Sequence, residues 1–424
     1  MNKKFYRTVL SNGMRIIVVP MKGNPTVTVQ ALVETGSRYE SKKENGISHF
    51  LEHMCFKGTI NRPSSLAISQ ELDSMGATNN AFTSEEVTGY WAKARTHQFD
   101  RILDIVSDLY LNPLLPAQEI EKERGVIIEE INMYEDLPQR TVHDVLDALM
   151  YREQSAGRPI IGSKENIKAF KRNDFIRYRT RHYTAPKTCI TVSGDIDPAS
   201  ALRTIKKLFK NIQSGVYLKR KKTKESQRAP MILSKYKKTD QTHFLLGFRS
   251  CTLSDKQNPI YDILATVLGQ GMSSRLFQKL REEMGVCYYV RAGNQTATDT
   301  GIFKIASGVT TERFEEVVKE ILKELNTLKN NLISKEELTK AKEFIIGTML
   351  MGLESSDELA DWYGGQEIFH RPIKTPEKVI EEIERVTEQE VQTIARKVFR
   401  NTNLNLAFIG PNKITSSLKK NLTL

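Results

Sequence analysis

His49-Phe50-Leu51-Glu52-His53 is the stretch of this 424-residue chain whose residue types and spacing could do chemistry. On a helix, residues four apart stack on one face, so the imidazoles of His49 and His53 can reach one metal ion while Glu52 projects beside them. The order His-x-x-Glu-His inverts the commoner His-Glu-x-x-His and is a catalytic zinc pattern in its own right. Two histidines do not complete such a site. Catalytic zinc takes three protein ligands plus a water, and a carboxylate is a common third.

That carboxylate must come from a separate segment packed on the motif helix. The helix predicted from Pro116 to Met133 is the best source, with Glu119, Glu121, Glu123, Glu129 and Glu130. Glu123, Ile127 and Glu130 recur at i, i+4 and i+7, alongside Val126, on one side of it. A carboxylate on an apolar side needs a partner, because burying it unpaired is costly. Glu129, roughly 100° round the helix, belongs on the exposed side. The remaining histidines, His97, His143, His182, His243 and His370, stand outside any such pattern and read as ordinary structural residues.

The elements that must position these groups can be read from periodicity. Met14–Pro20 and the β-branched run Thr26–Val33 predict strands, and the motif helix starts near Gly46 or Ile47. A helix follows over Leu66–Met75, then a β-hairpin over Ala77–Ala94 and an amphipathic helix over Phe99–Leu111. Helical stretches near Thr141–Met150 and Asp174–His182 precede a strand, Cys189–Val192, and a helix, Pro198–Phe209. The segment Ser214–Pro230 is polar and turn-rich, and marks a linker almost at the midpoint.

At this length two domains are the default expectation, and a faint internal repeat supports it. Thr26–Val33 matches Gln241–Phe248, Asn45-Gly46-Ile47 matches Asn258-Pro259-Ile260, and Cys189–Gly194 matches Leu404–Gly410, at an offset of about 213–215 residues. The second copy offers Asp262, Ala265 and Thr266 where the first has His49, Glu52 and His53, so it cannot build the same metal site. The division expected is 1–213, a basic linker 214–231, and 232–424.

Net charge is +12, from 63 Lys and Arg against 51 Asp and Glu. Much of the excess is local, in 171–187 and in Lys219-Arg220-Lys221-Lys222, where it reads as solvated loop; no recognisable nucleic-acid module accompanies it. No apolar run approaches the roughly 20 residues of a membrane span, and no apolar segment follows the basic start as a secretory signal would require. Four dispersed cysteines, Cys55, Cys189, Cys251 and Cys287, form no Cys-x-x-Cys pair and point to reduced thiols and a cytoplasmic location.

His49–His53, the hairpin run Asn80-Ala81-Phe82-Thr83, and Glu123-Arg124-Gly125-Val126-Ile127-Ile128-Glu129-Glu130-Ile131 with Met133-Tyr134-Glu135-Asp136 together resemble the pitrilysin or insulinase-type metallopeptidases. The length and halves resemble the subgroup of mitochondrial processing peptidase and its bacterial relatives. The resemblance implies an α+β fold of two homologous domains, each a mostly antiparallel sheet flanked by helices, in a clamshell assembly. It implies one zinc per chain on His49, His53 and a glutamate 76 or 77 residues after the second histidine, with another glutamate seven residues earlier. That selects Glu130 as ligand and Glu123 behind it, with Glu129 the alternative.

The same resemblance implies a zinc-dependent endopeptidase acting on peptides or unfolded segments inside a closed chamber, with a water activated by Glu52. It makes Asn80, Ala81 and Phe82 part of a substrate-binding edge strand. Arg281 and Tyr288, seven apart, become the groups that orient substrate and stabilise the transition state. In long family members this pair faces the zinc from the second of two fused units, so a half-length chain is expected to be a homodimer whose active site is completed in trans. The alternatives are a non-catalytic structural or chaperone-like subunit, or a catalytic subunit that needs a distinct partner.

Overall fold

β-Branched and aliphatic runs become strands, and the computed structural model, which describes residues 4–424, collects them into two sheets. The first holds β1 (Tyr6–Val9), β2 (Arg15–Pro20), β3 (Thr26–Val33), β4 (Thr78–Thr83), β5 (Thr88–Arg95) and β6 (Thr188–Gly194), in the order β1-β2-β6-β3-β5-β4. The second holds β7 (Met231–Tyr236), β8 (Gln241–Arg249), β9 (Cys287–Thr296), β10 (Gly301–Thr310) and β11 (Leu404–Gly410), in the order β7-β11-β8-β10-β9. Apart from β1 the two orders are the same walk. β2–β6 and β7–β11 are parallel, and every other pair is antiparallel. Both sheets are therefore mostly antiparallel, and the protein is α+β with two homologous units. The repeat seen in the sequence falls on β3 and β8 and on β6 and β11, with a helix after the first strand of each match.

The first half of the chain supplies helices α1 (Ile47–Cys55), α2 (Ser65–Ser74), α3 (Phe99–Leu111), α4 (Ala117–Glu135), α5 (Pro138–Tyr151), α6 (Lys164–Ala169), α7 (Arg172–His182) and α8 (Pro198–Leu208). The second supplies α9 (Asn258–Gly269), α10 (Phe314–Asn330), α11 (Lys335–Gly352), α12 (Ser356–Ile368), α13 (Pro376–Glu384), α14 (Glu388–Val398) and α15 (Ser416–Asn421). Val29 and Ala31 of the first sheet pack with Phe50, Val106 and Phe175 of α1, α3 and α7. In the second unit Phe244 and Leu246 pack with Leu264, Ile321 and Ile394 of α9, α10 and α14.

Chain order and packing part company at one pair of equivalent helices. α5 belongs to the second unit, made of residues 133–158, 222–350 and 376–424, and α12 to the first, made of the described residues up to 132 with 159–221 and 351–375. The reason is the second face of each sheet, which is apolar and must be covered. Val142, Leu146 and Met150, on one stripe of α5, cover Leu245, Ala407 and Ile409. Tyr363 and Ile368 of α12 cover Ile17, Val19 and Leu32. The helices come close: a Cβ on Gly247 would lie 2.8 Å from both Leu146 methyls, and one on Gly364 would lie 2.6 Å from Thr191 Oγ1.

Residues 214–230 form no helix or strand. Their basic cluster is not wholly solvated, since Arg220 lies 2.7 Å from Glu86 and both side chains are nearly buried. All four cysteines are free and buried. No helix among the described residues is long and apolar enough to cross a membrane.

Candidate active site

α1 begins at Gly46, whose φ of 101° is left-handed and whose missing Cβ would otherwise lie 2.7 Å from Ile161 O. Glu40 closes the first turn. Its Oε2 accepts from the Gly46 N–H at 2.8 Å and from Asn45 Nδ2 at 3.1 Å, and its Oε1 accepts from the Ser48 N–H at 2.9 Å. A negative group at a helix N-terminus is favourable on two counts, the orphan N–H donors and the helix dipole. Burial pushes the Glu40 pKa up, and these donors pull against it. Ser48 Oγ lies 2.7 Å from Tyr178 OH, which lies 2.8 Å from Thr35 Oγ1, so α1 is also tied to α7 and to the end of β3.

The anchored helix presents His49 and His53 with ring centroids 4.6 Å apart. The Nε2 atoms of both lie 3.7 Å from Glu130 Oε2 on α4. The three residues offer donor atoms that all lie within 4.8 Å of one another, and no second such cluster occurs among the described residues. A tetrahedral zinc with bonds of about 2.0–2.1 Å needs donors about 3.3 Å apart, so the two 3.7 Å separations to Glu130 need only a few tenths of an ångström to reach that spacing. Two neutral imidazoles and a carboxylate suit zinc.

His53 is prepared for that task from behind. Its Nδ1 lies 2.8 Å from Glu123 Oε1, and Lys57 Nζ lies 2.6 Å from Glu123 Oε2. An Nδ1–H donated to Glu123 leaves the Nε2 lone pair free to face Glu130. Burial works to lower the His53 pKa, but the Glu123 hydrogen bond and charge outweigh it and hold it above the ordinary histidine value. Burial likewise works to raise the Glu123 pKa, and His53 and Lys57 hold it below the usual carboxylate value. Glu52 is pushed up by burial, against a 2.6 Å hydrogen bond that its Oε2 accepts from Thr83 Oγ1.

The other residues singled out in the sequence fall as follows. Glu129 is exposed and accepts from Asn132 Nδ2 at 3.3 Å, outside the cluster. Val126 does not share the buried side of α4; it is 52% exposed. Asn80, Ala81 and Phe82 lie on β4, the last strand of the first sheet, which touches α1. The Ala81 N–H donates to Asn80 Oδ1 at 2.9 Å. Phe82 packs among the side chains under α12. Arg281 and Tyr288 belong to the second unit. Arg281, on a π-helical segment, donates to the carbonyls of Cys287 at 3.2 Å and Tyr288 at 3.4 Å, and its guanidinium carbon sits 4.8 Å from the Tyr288 ring centroid. Glu40, Lys57, Thr83 and Tyr178 were not foreseen. Lys57 had a signal, lying one helical turn beyond His53, and so did Thr83, two residues past Ala81 on the same strand face. Glu40 and Tyr178 had none.

Comparison with known proteins shows the family and the fold. Residues 15–164 match the family described as Insulinase (Peptidase family M16), and residues 169–345 match the Peptidase M16 inactive domain. The chain is 35% identical to an uncharacterized zinc protease, YmxG, of Bacillus subtilis, over 96% of this chain and 98% of that one. It is 30% identical to an uncharacterized zinc protease of Rickettsia felis, over 98% and 99%. A protease from Helicobacter pylori has the same fold, with a TM-score of 0.90 at 22% identity over 96% and 99% of the two chains. A Pseudomonas fluorescens structure described as a peptidase M16 inactive domain also superposes at 0.90, with 16% identity. Fold and donor set define a zinc-peptidase scaffold of duplicated α+β units. The chain belongs to the insulinase family of peptidases, M16.

The packing that holds α1 has a pH dependence. His182 packs against Tyr178 with ring centroids 4.4 Å apart, and burial, then the charges of Lys187 and Arg181, push its pKa down to about 3. The unfolded chain takes up that proton near pH 6.5. Stability contributed by neutral His182 is therefore present above pH 6.5 and lost as the pH falls towards 3. The thermal midpoint of wild type is expected to drop more steeply between pH 6 and pH 4 than that of His182→Gln; His143, pushed down to about 4 by burial, keeps the slope from vanishing. Equal slopes would contradict this.

Proposed function

We propose that this protein is a zinc-dependent endopeptidase, with one zinc per chain held by His49, His53 and Glu130, that hydrolyses peptides or unfolded segments within a closed chamber. The observation that carries the reading is the convergence of those three side chains with Glu123 already on the far nitrogen of His53. Zinc bound there would polarise the scissile carbonyl and acidify a water in the open position. Glu52 then takes the proton from the attacking water and delivers it to the leaving amine. Its buried setting raises its proton affinity, as a shuttle requires, and Thr83 fixes one of its oxygens so that the other does the work.

Substrate adds to β4 as an extra strand. The Ala81 N–H, now capped by Asn80 Oδ1, then serves a substrate carbonyl, and Phe82 steadies the strand from the other face. Arg281 and Tyr288 act as donors to the developing oxyanion, and a second copy of the chain supplies them, so that a homodimer completes each site in trans. Opening and closing of the chamber gates turnover. A purely structural subunit fits less well, because His49, His53, Glu130 and Glu52 are all present in the chain. Four free, buried thiols favour a cytoplasmic location.

Glu52→Gln is expected to lower kcat by about 10²–10⁴ with the zinc content, read by elemental analysis, unchanged. Glu130→Gln should lose the metal and Glu129→Gln should keep it; full turnover in the first variant, or the reverse pattern in the other two, rejects the assignment. Complementation tests the dimer. An equimolar mixture of Glu52→Gln and Tyr288→Phe chains should recover about a quarter of wild-type activity, as expected when half of the dimers are mixed and each of those has one whole site. No gain over the separate variants rules out the shared site.

A further inference from the structure

The second unit carries a cavity of ≈ 600 Å³ on the face of its sheet that α5 covers. Leu245 of β8 and Ala306 of β10, paired across the sheet, form an apolar floor. Around it stand three cations, Arg140 of α5, Arg291 of β9 and Lys304 of β10, and no Asp or Glu lines the space. Lys304 is 8% exposed and partly answered, with Gln295 Oε1 at 2.6 Å and Asp147 at 3.7 Å. The two arginines are not: Arg140 lies over the Tyr134 ring at 3.4 Å, and among the described residues neither it nor Arg291 has a carboxylate partner. The first turn of α5 borders the same space, starts with Pro138 and has no side-chain cap, so its dipole adds to the positive field. Burial and the Lys304 charge keep His143 neutral there.

Exposed arginines normally face water or a neighbouring acid. Two that line one cavity with an apolar floor and no acid in its lining offer instead planar, forked donors to a carboxylate whose neighbour is apolar. We propose that this cavity binds the carboxylate of an acidic peptide, whether a C-terminal or a side-chain carboxylate, with an adjacent aliphatic side chain seated on Leu245 and Ala306. Arg140 and Arg291 grip the carboxylate from α5 and β9. The choice of a peptide as carrier rests on the peptidase reading; binding itself needs no catalysis.

The test is fluorescence anisotropy on full-length, zinc-loaded Glu52→Gln protein, which reads binding whether or not the peptidase assignment holds. The probe is a labelled hexapeptide ending in leucine and glutamate with a free C-terminus. Three companions carry glutamine for the glutamate, a C-terminal amide, or both. The doubly neutral peptide is expected to bind at least about tenfold more weakly, and the single change that costs affinity names the carboxylate used. Arg140→Gln and Arg291→Gln, made in the same background, should each weaken the acidic peptide at least about tenfold and leave the doubly neutral one unchanged. Both side chains are exposed, and melting curves verify that the variants fold. Equal affinity for the acidic and doubly neutral peptides, or arginine variants that weaken both alike or neither, would overturn the proposal.

Discussion

The hydrogen bond between His53 Nδ1 and Glu123 sets the terms for the rest of the site. It decides which imidazole nitrogen carries the proton, and so which one points its lone pair at Glu130. A carboxylate as buried as Glu123 cannot stand on one donor, and the second comes from just past the end of the helix that carries the first: Lys57 lies two residues beyond the last residue of α1. α1 thus grips α4 through a polar clasp, while Ile120, Ile127 and Ile131 seat α4 in the core. The clasp is worth having only if α1 cannot shift, and Glu40 answers that requirement at the other end of the helix.

Four buried or half-buried carboxylates lie on or beside this helix, and their surroundings give them four different tasks. Glu40 is met by backbone N–H groups and holds the helix. Glu123 is met by a histidine and a lysine and orients a donor. Glu130 faces two Nε2 atoms. Glu52 is met by one hydroxyl and keeps an oxygen free. The chemistry open to each follows from the donors that surround it more than from its type.

Elements whose information is local were legible in the sequence. β3 and α3 have the bounds that β-branched alternation and an amphipathic stripe predict, and the i, i+4, i+7 spacing put Glu123 and Glu130 on one side of α4, while Glu129 stayed open as the alternative ligand until the fold set it outside the cluster. The grip of Glu40 on α1 was not legible, because a loop carboxylate five to eight residues from its donors carries no periodic signal. Nor was the exchange of α5 and α12. Their stripes, such as Val142, Leu146 and Met150, announce that something must be covered, and do not say which sheet does the covering. The basic run near residue 220 also misled in part, since a charge pattern cannot show that Arg220 finds Glu86. The repeat kept the sheet order but not the donor residues, leaving Asp262, Ala265 and Thr266 on α9, where Thr266 Oγ1 simply bonds back to the Asp262 carbonyl.

The most direct measurement of the central claim is anomalous diffraction at the zinc edge from crystals of the zinc-loaded Glu52→Gln protein. One anomalous peak per chain is expected, about 2.0–2.2 Å from the Nε2 atoms of His49 and His53 and from a carboxylate oxygen of Glu130, with Glu123 still on His53 Nδ1. A peak on any other ligand set, or none at these three residues, would contradict it.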